Sequence, residues 1–220
     1  VIDRELDKRA AVARTLGASK ALNDGDLRRF YEEAKAATQG TGNTVILVDA
    51  DHQLINTKLP FGSSLPARKW RPEPPLLRQG VLVSDLLISP ISGHPVLAVM
   101  VPTAGPGSAP YNVGVVFEPE AIQATLDQQK VPSGSVASIL DRQYRTIARS
   151  KNPSKWLGAR AASDTIEAAS AAAGGAFHSK THEGEPTVGF IAYSASYGWS
   201  CAIGLPTAVL EKSAVRVTPV

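Results

Sequence analysis

Three landmarks recur in the same order along this chain, roughly ninety residues apart, and that internal repeat limits the fold more than any single motif. Val-Ile-Leu-Val-Asp at 45–49 is answered by Val-Ala-Ser-Ile-Leu-Asp at 136–141. In both, the Asp closes an apolar run and a second pair follows, Leu54-Ile55 and Thr146-Ile147; Asp49 and Asp141 lie 92 residues apart. Gly93-x-Pro95 leads into 96–101 as Gly184-x-Pro186 leads into 188–193, with Pro95 and Pro186 spaced by 91. A strand then runs to a proline and a helix in each copy, at Pro119 and Pro206, spaced by 87. Matched apolar runs closed by polar turns predict two small antiparallel sheets of about five strands, each with helices on one face.

Between the landmarks the hydrophobic period assigns the elements. Ile2, Leu6, Ala10, Ala13 and Leu16 fall at helical spacing, so residues 1–22 read as one helix, about 33 Å long at ~1.5 Å per residue. It starts at Val1 without a cap, as expected of a piece cut from a longer chain. Asp26 caps a second helix over 27–38. Strands are expected at 44–49, 54–57, 81–88, 95–103 and 111–117, with a helix over 118–129. The second copy follows with strands at 135–140, 146–148, 176–181, 187–194 and 199–205. An Ala-rich helix runs from Ser163 or Asp164 to about Ala173, and a closing helix starts near Pro206. The fold class is therefore α+β: a long N-terminal helix and two tandem units. The helices occupy 1–38, the first unit 39–129, the second 130–210, and a terminal segment 211–220.

Composition removes several functions. With 23 basic against 20 acidic residues and no basic stripe, nucleic acid is not an expected partner. One cysteine, Cys201, cannot form an intramolecular disulfide or a Cys-rich zinc site, and it reads as a small buried strand residue. His178 and His182 are four apart but lie in a strand-to-turn stretch, so they read as solvated rather than as a metal pair. No nucleophile elbow or phosphate loop occurs, and neither cofactor nor metal is expected. No apolar run is long enough to span a membrane. Trp199 and Tyr193 read as core of the second unit.

The hairpin Ile46-Leu47-Val48-Asp49 with Leu54-Ile55-Asn56-Thr57, the segment Val83-Ser84-Asp85-Leu86, and the ending Tyr193…Gly198-Trp199…Ile203-Gly204-Leu205-Pro206 resemble the Cache family. Order and spacing carry the likeness over almost the whole chain. It resembles the double-Cache sensor region of a bacterial histidine kinase: two PAS-like units on one N-terminal helix, outside the inner membrane, between transmembrane helices. The resemblance implies a small-molecule ligand in the first, membrane-distal unit, a homodimer through the N-terminal helix, and catalysis only in kinase parts beyond this piece. A chemoreceptor or cyclase-type receptor, or an interaction module without a ligand, are the alternatives.

Amino-acid-binding members carry Arg-x-Trp-Tyr in the distal unit, where Arg and Trp hold the ligand carboxylate. This chain has Arg68-Lys69-Trp70-Arg71, keeping the Arg and the Trp. The family's ammonium-holding Asp falls near Val116, and an apolar side chain cannot neutralise an ammonium. The expectation is an organic acid anion on Arg68, Trp70 and Arg71, with Asp85 and Tyr111 as further pocket residues. The alternative is a solvated basic loop around a packed Trp70, with Asp85 a strand-end turn residue.

Overall fold

The computed structural model describes residues 1–67, 80–170 and 175–210. The chain divides into two compact units, Val1–Pro119 and Glu120–Val220.

The first unit opens with helix α1, Ile2–Gly17, which buries Leu6, Ala10, Ala13, Leu16 and Gly17. It is shorter than expected. Ser19 interrupts it by accepting the Leu22 N–H on its hydroxyl (3.2 Å), which starts a separate turn, α2, at Lys20–Asn23. Helix α3, Leu27–Ala37, begins where Asp26 accepts the Arg29 N–H at 3.0 Å, and it buries Phe30, Tyr31 and Ala34.

All five expected strand runs of this unit enter the sheet, four of them unbroken. β1 (Thr44–Val48), β2 (Gln53–Asn56), β5 (Pro95–Ala104) and β6 (Pro110–Phe117) are continuous. The run 81–88 is instead two short strands, β3 (Leu82–Val83) and β4 (Leu87–Ile88). Buried Ser84 causes the break: its N–H donates to the Ala98 carbonyl (2.8 Å) while its hydroxyl accepts the Ala98 N–H (2.9 Å). A side chain thus replaces one backbone rung. Strand order is β2-β1-β6-β5-β3, with β4 also on β5, all antiparallel. Alternation gives this sheet two faces. Val45, Leu47, Leu97, Val99, Val113 and Val115 share one face and are buried, and α1 packs against β5 and β6. The Thr103 hydroxyl donates to the Gly17 carbonyl (2.7 Å), tying the helix end to the sheet.

The second unit opens with helix α4, Glu120–Asp127. It was expected to close the first unit but packs in the second, because Gln123 brackets Arg149: its Oε1 accepts the Arg149 N–H (2.8 Å) and its Nε2 donates to the Arg149 carbonyl (3.0 Å). β7 (Val136–Leu140), β8 (Thr146–Arg149), a short helix α5 (Pro153–Trp156) and α6 (Ser163–Ser170) follow. Residues 171–173, the expected end of α6, lie outside the described residues. β9 (Phe177–Lys180), β10 (Pro186–Tyr193) and β11 (Ser200–Pro206) complete a five-stranded antiparallel sheet of order β8-β7-β11-β10-β9. Residues 207–210 are helical after Pro206.

The two sheets have the same strand order, so the repeat seen in the sequence is a repeat of topology. Thr44 pairs Val116, and Val136 pairs Gly204 in the same way. The two aspartates also do the same work. Asp49 accepts the N–H groups of Asp51 (2.8 Å) and His52 (2.6 Å), which holds its carboxyl below the usual range. Asp141 is buried and accepts the N–H groups of Gln143 and Arg145 and the Arg145 Nε, each at 2.9 Å.

Three side-chain expectations in the second unit divide. Trp199 is core at 1% exposure. Tyr193 is not: it is 47% exposed, with its hydroxyl donating to the Ala169 carbonyl. Cys201 is exposed as well, since it lies on the strand face opposite the inward Ser200.

Candidate ligand-binding site

Turning α1 toward one face of the first sheet leaves the other face free, and a cavity of about 300 Å³ lies against it. Its floor is the alternate set of strand residues: Ile46 and Val48 of β1, Ala98 and Met100 of β5, and Val116 of β6. Ser89, Pro90 and Ile91, from the β4–β5 turn, form one wall. Pro66 and Ala67 form part of another. Phe117 also lines it, although its ring lies on the helix side of the sheet with Leu97 and Val115, where the Arg9 guanidinium of α1 stacks over it at 4.1 Å. A predominantly apolar chamber with a few polar groups is the common form of a small-molecule site.

The polar groups lie along the rim and one side. Asn56 is buried, takes a hydrogen bond from the Lys58 N–H on its Oδ1 (3.0 Å) and donates from Nδ2 to Gln53 Oε1 (3.1 Å). Lys58 and Glu118 are the charged residues among the described lining residues, and both are exposed at the mouth. Such a lining suits a molecule with an apolar body and one charged or polar end.

The residues named from the sequence are placed unequally. Arg68, Trp70 and Arg71 lie outside the described residues; Arg68 is the residue after Ala67 of the cavity wall. Val116 is in the cavity floor, so the position inferred for an ammonium partner does face the chamber, with an apolar side chain. Tyr111 does not line the cavity. It shares the strand face of Val113 and Val115, and its ring packs so closely on Gly105 that a Cβ there would lie 2.2 Å from it. Asp85 is half-buried between β3 and β4 and is not among the lining residues, whereas Leu87 and Ile88 just after it are. The sequence reading missed Gln53, Asn56 and Lys58. The signal available was the run of polar residues ending the second hairpin strand.

The second sheet has a cavity in the equivalent place, but only of about 70 Å³. Its own side chains fill it. Gly189 and Gly204 stand where the first unit has Ala98 and Val116, and the Phe177 ring lies 2.5 Å from where a Gly189 Cβ would be. Arg149 stands where Asn56 stands in the first unit, and it pairs with Glu183. His182 is half-buried at this cavity and stacked on Trp156 at 4.1 Å, not solvated as expected; His178 is exposed.

No protein-family model matches the chain, and no curated protein matches it. Solved structures match along nearly its full length. The extracellular domain of rpHK1S-Z16, assigned as a histidine kinase, is 15% identical with a TM-score of 0.62, over 96% of this chain and 98% of that one. The ligand-binding domain of the Campylobacter jejuni chemoreceptor Tlp3, solved with 4-methylisoleucine, is 11% identical with a TM-score of 0.68, over 96% and 87%. The ligand-binding domain of the Pseudomonas aeruginosa amino-acid chemoreceptor PctC, solved with GABA, is 13% identical with a TM-score of 0.60, over 93% and 91%. The chain has the fold of these extracellular sensor domains. Among the described residues, no helix is long and apolar enough to cross a membrane.

Proposed function

We propose that the chain is the extracytoplasmic sensor of a transmembrane histidine kinase, and that its first unit binds a small organic acid. The observation that carries this reading is the asymmetry of two sheets with one topology. The first keeps a chamber of about 300 Å³, and the second fills its own. A fold repeated twice, with only one copy hollow, is the form expected of a receptor with one sensing unit and one coupling unit. In this reading the first unit is distal to the membrane and the second proximal.

The anion reading rests on Val116 in the cavity floor, whose apolar side chain gives an ammonium no partner there, and on the Arg68, Trp70, Arg71 run that follows Ala67 directly in sequence. The Arg9–Phe117 stack supports a route from cavity to α1. A ligand shifts such a receptor only by binding its two states unequally. The outer stripe of α1, including Arg4, Lys8, Ala11 and Thr15, is exposed and free to meet a second copy in a homodimer. A chemoreceptor sensor is the second reading, favoured by the chemoreceptor neighbours of equal likeness.

The test is thermal unfolding of the chain against a panel of carboxylic acids and amino acids. Organic acids are expected to raise Tm saturably, and R68A is expected to remove the response. A Tm rise with amino acids alone contradicts the anion reading.

A further inference from the structure

The second unit carries a carboxylate-recognition geometry that the sensing role of the first unit does not use. The Arg149 side chain is 3% exposed, in the register position that Asn56 holds in the first unit. Its fork makes two bonds to one carboxylate, Nη1 to Glu183 Oε1 at 3.0 Å and Nη2 to Oε2 at 2.7 Å. Trp156 Nε1 donates to the same Oε1 at 3.0 Å, and Asn152 Nδ2 lies at 3.4 Å. Four N–H groups from Arg149 of β8, from Asn152 before α5 and from Trp156 at its end thus converge on one pair of oxygens, with the Trp156–His182 stack as a flat wall beside them.

The frame and its occupant come from different places. Arg149, Asn152 and Trp156 belong to β8 and the segment after it, while Glu183 is an exposed residue of the β9–β10 turn. That turn is the counterpart of the β4–β5 turn, whose Ser89, Pro90 and Ile91 wall the first cavity. In the first unit the turn leaves the chamber open; in the second it sends a carboxylate inward. Bidentate Arg with an indole N–H recognises a carboxylate by shape as well as charge. Nothing in that geometry requires the carboxylate to belong to the chain.

We propose that Arg149, Asn152 and Trp156 form a carboxylate-binding site in the second unit, and that Glu183 is its internal occupant. A small free carboxylate competes for the site at the effective concentration of the Glu183 side chain. For so short a tether that is on the order of millimolar or above. Removing Glu183 leaves a buried guanidinium without its carboxylate, with the Lys151 carbonyl still accepting from Nη1, a state that an external anion relieves.

The experiment follows the Trp156 indole N–H resonance by NMR, assigned with W156F, while acetate is titrated against chloride at equal ionic strength. In E183A, acetate is expected to shift this resonance saturably and to raise Tm, and chloride to do neither. The double variant R149M/E183A is expected to lose the response. The wild type is expected to need at least ~tenfold more acetate. E183S, which also vacates the frame and suits a turn, serves if E183A folds poorly, with the same expectation. An acetate response absent from both Glu183 variants, retained without Arg149, or equal in wild type and E183A overturns the proposal. Because the probe is Trp156, acetate bound only in the first unit leaves it unmoved, so the two sites fail or succeed separately.

Discussion

Glu183 shows how much one side chain's surroundings decide. Its carboxyl is held far below the usual carboxylate range, first by the hydrogen bonds from Arg149, against the opposing cost of burial, and then by the Trp156 N–H. The folded value lies below the unfolded one, so the unfolded chain binds the extra proton in acid. Its stabilisation is therefore complete above about pH 4.5 and fades as pH falls toward the folded value. Denaturant unfolding is expected to show E183Q less stable than wild type by about 2 kcal/mol near neutral pH, with the gap shrinking below pH 4.5. A gap independent of pH contradicts this. At this scale the sequence was half legible. Asp49 and Asp141 could be read as turn-closing residues because a carboxylate ending an apolar run has the next N–H groups within reach. Arg149 and Glu183 could not be paired, since 34 residues separate them and only the sheet brings them together.

At the scale of elements, period alone located the strands but not which face each set of residues takes. Val45, Leu47, Leu97 and Val99 are as apolar as Ile46, Val48, Ala98 and Met100, yet one set lies against the helix side and the other floors the cavity. Two equally apolar faces give no alternation to read, which is why Tyr111 was expected on the wrong face. The break at Ser84 was equally hidden, because a serine inside an apolar run reads as strand until its hydroxyl is seen on the Ala98 N–H. What makes the second copy's cavity small is legible afterwards as a pair of glycines. Phe177 occupies the space that a Gly189 side chain would need. Gly189→Ala is expected to destabilise the chain by about 1–3 kcal/mol through overpacking, and the double variant F177L/G189A to recover part of that loss. Equal stability of wild type and G189A, by thermal or denaturant unfolding, contradicts the filled-cavity explanation.

For the whole molecule, the internal repeat carried the fold class, because two copies of one strand order leave few architectures open. What the repeat could not carry is the difference between the copies, and the function rests on that difference. The central claim is that a small organic acid occupies the chamber of the first unit. Met100 lies in the chamber floor at 2% exposure, and it is the one methionine in the sequence. A methyl-labelled sample therefore gives one resonance that reports directly on the cavity, confirmed by its loss in Met100→Leu. Titration with the organic acid that most raises Tm is expected to move this signal saturably, with the same midpoint as the thermal response. A ligand that stabilises the chain while the Met100 methyl signal stays in place contradicts the account.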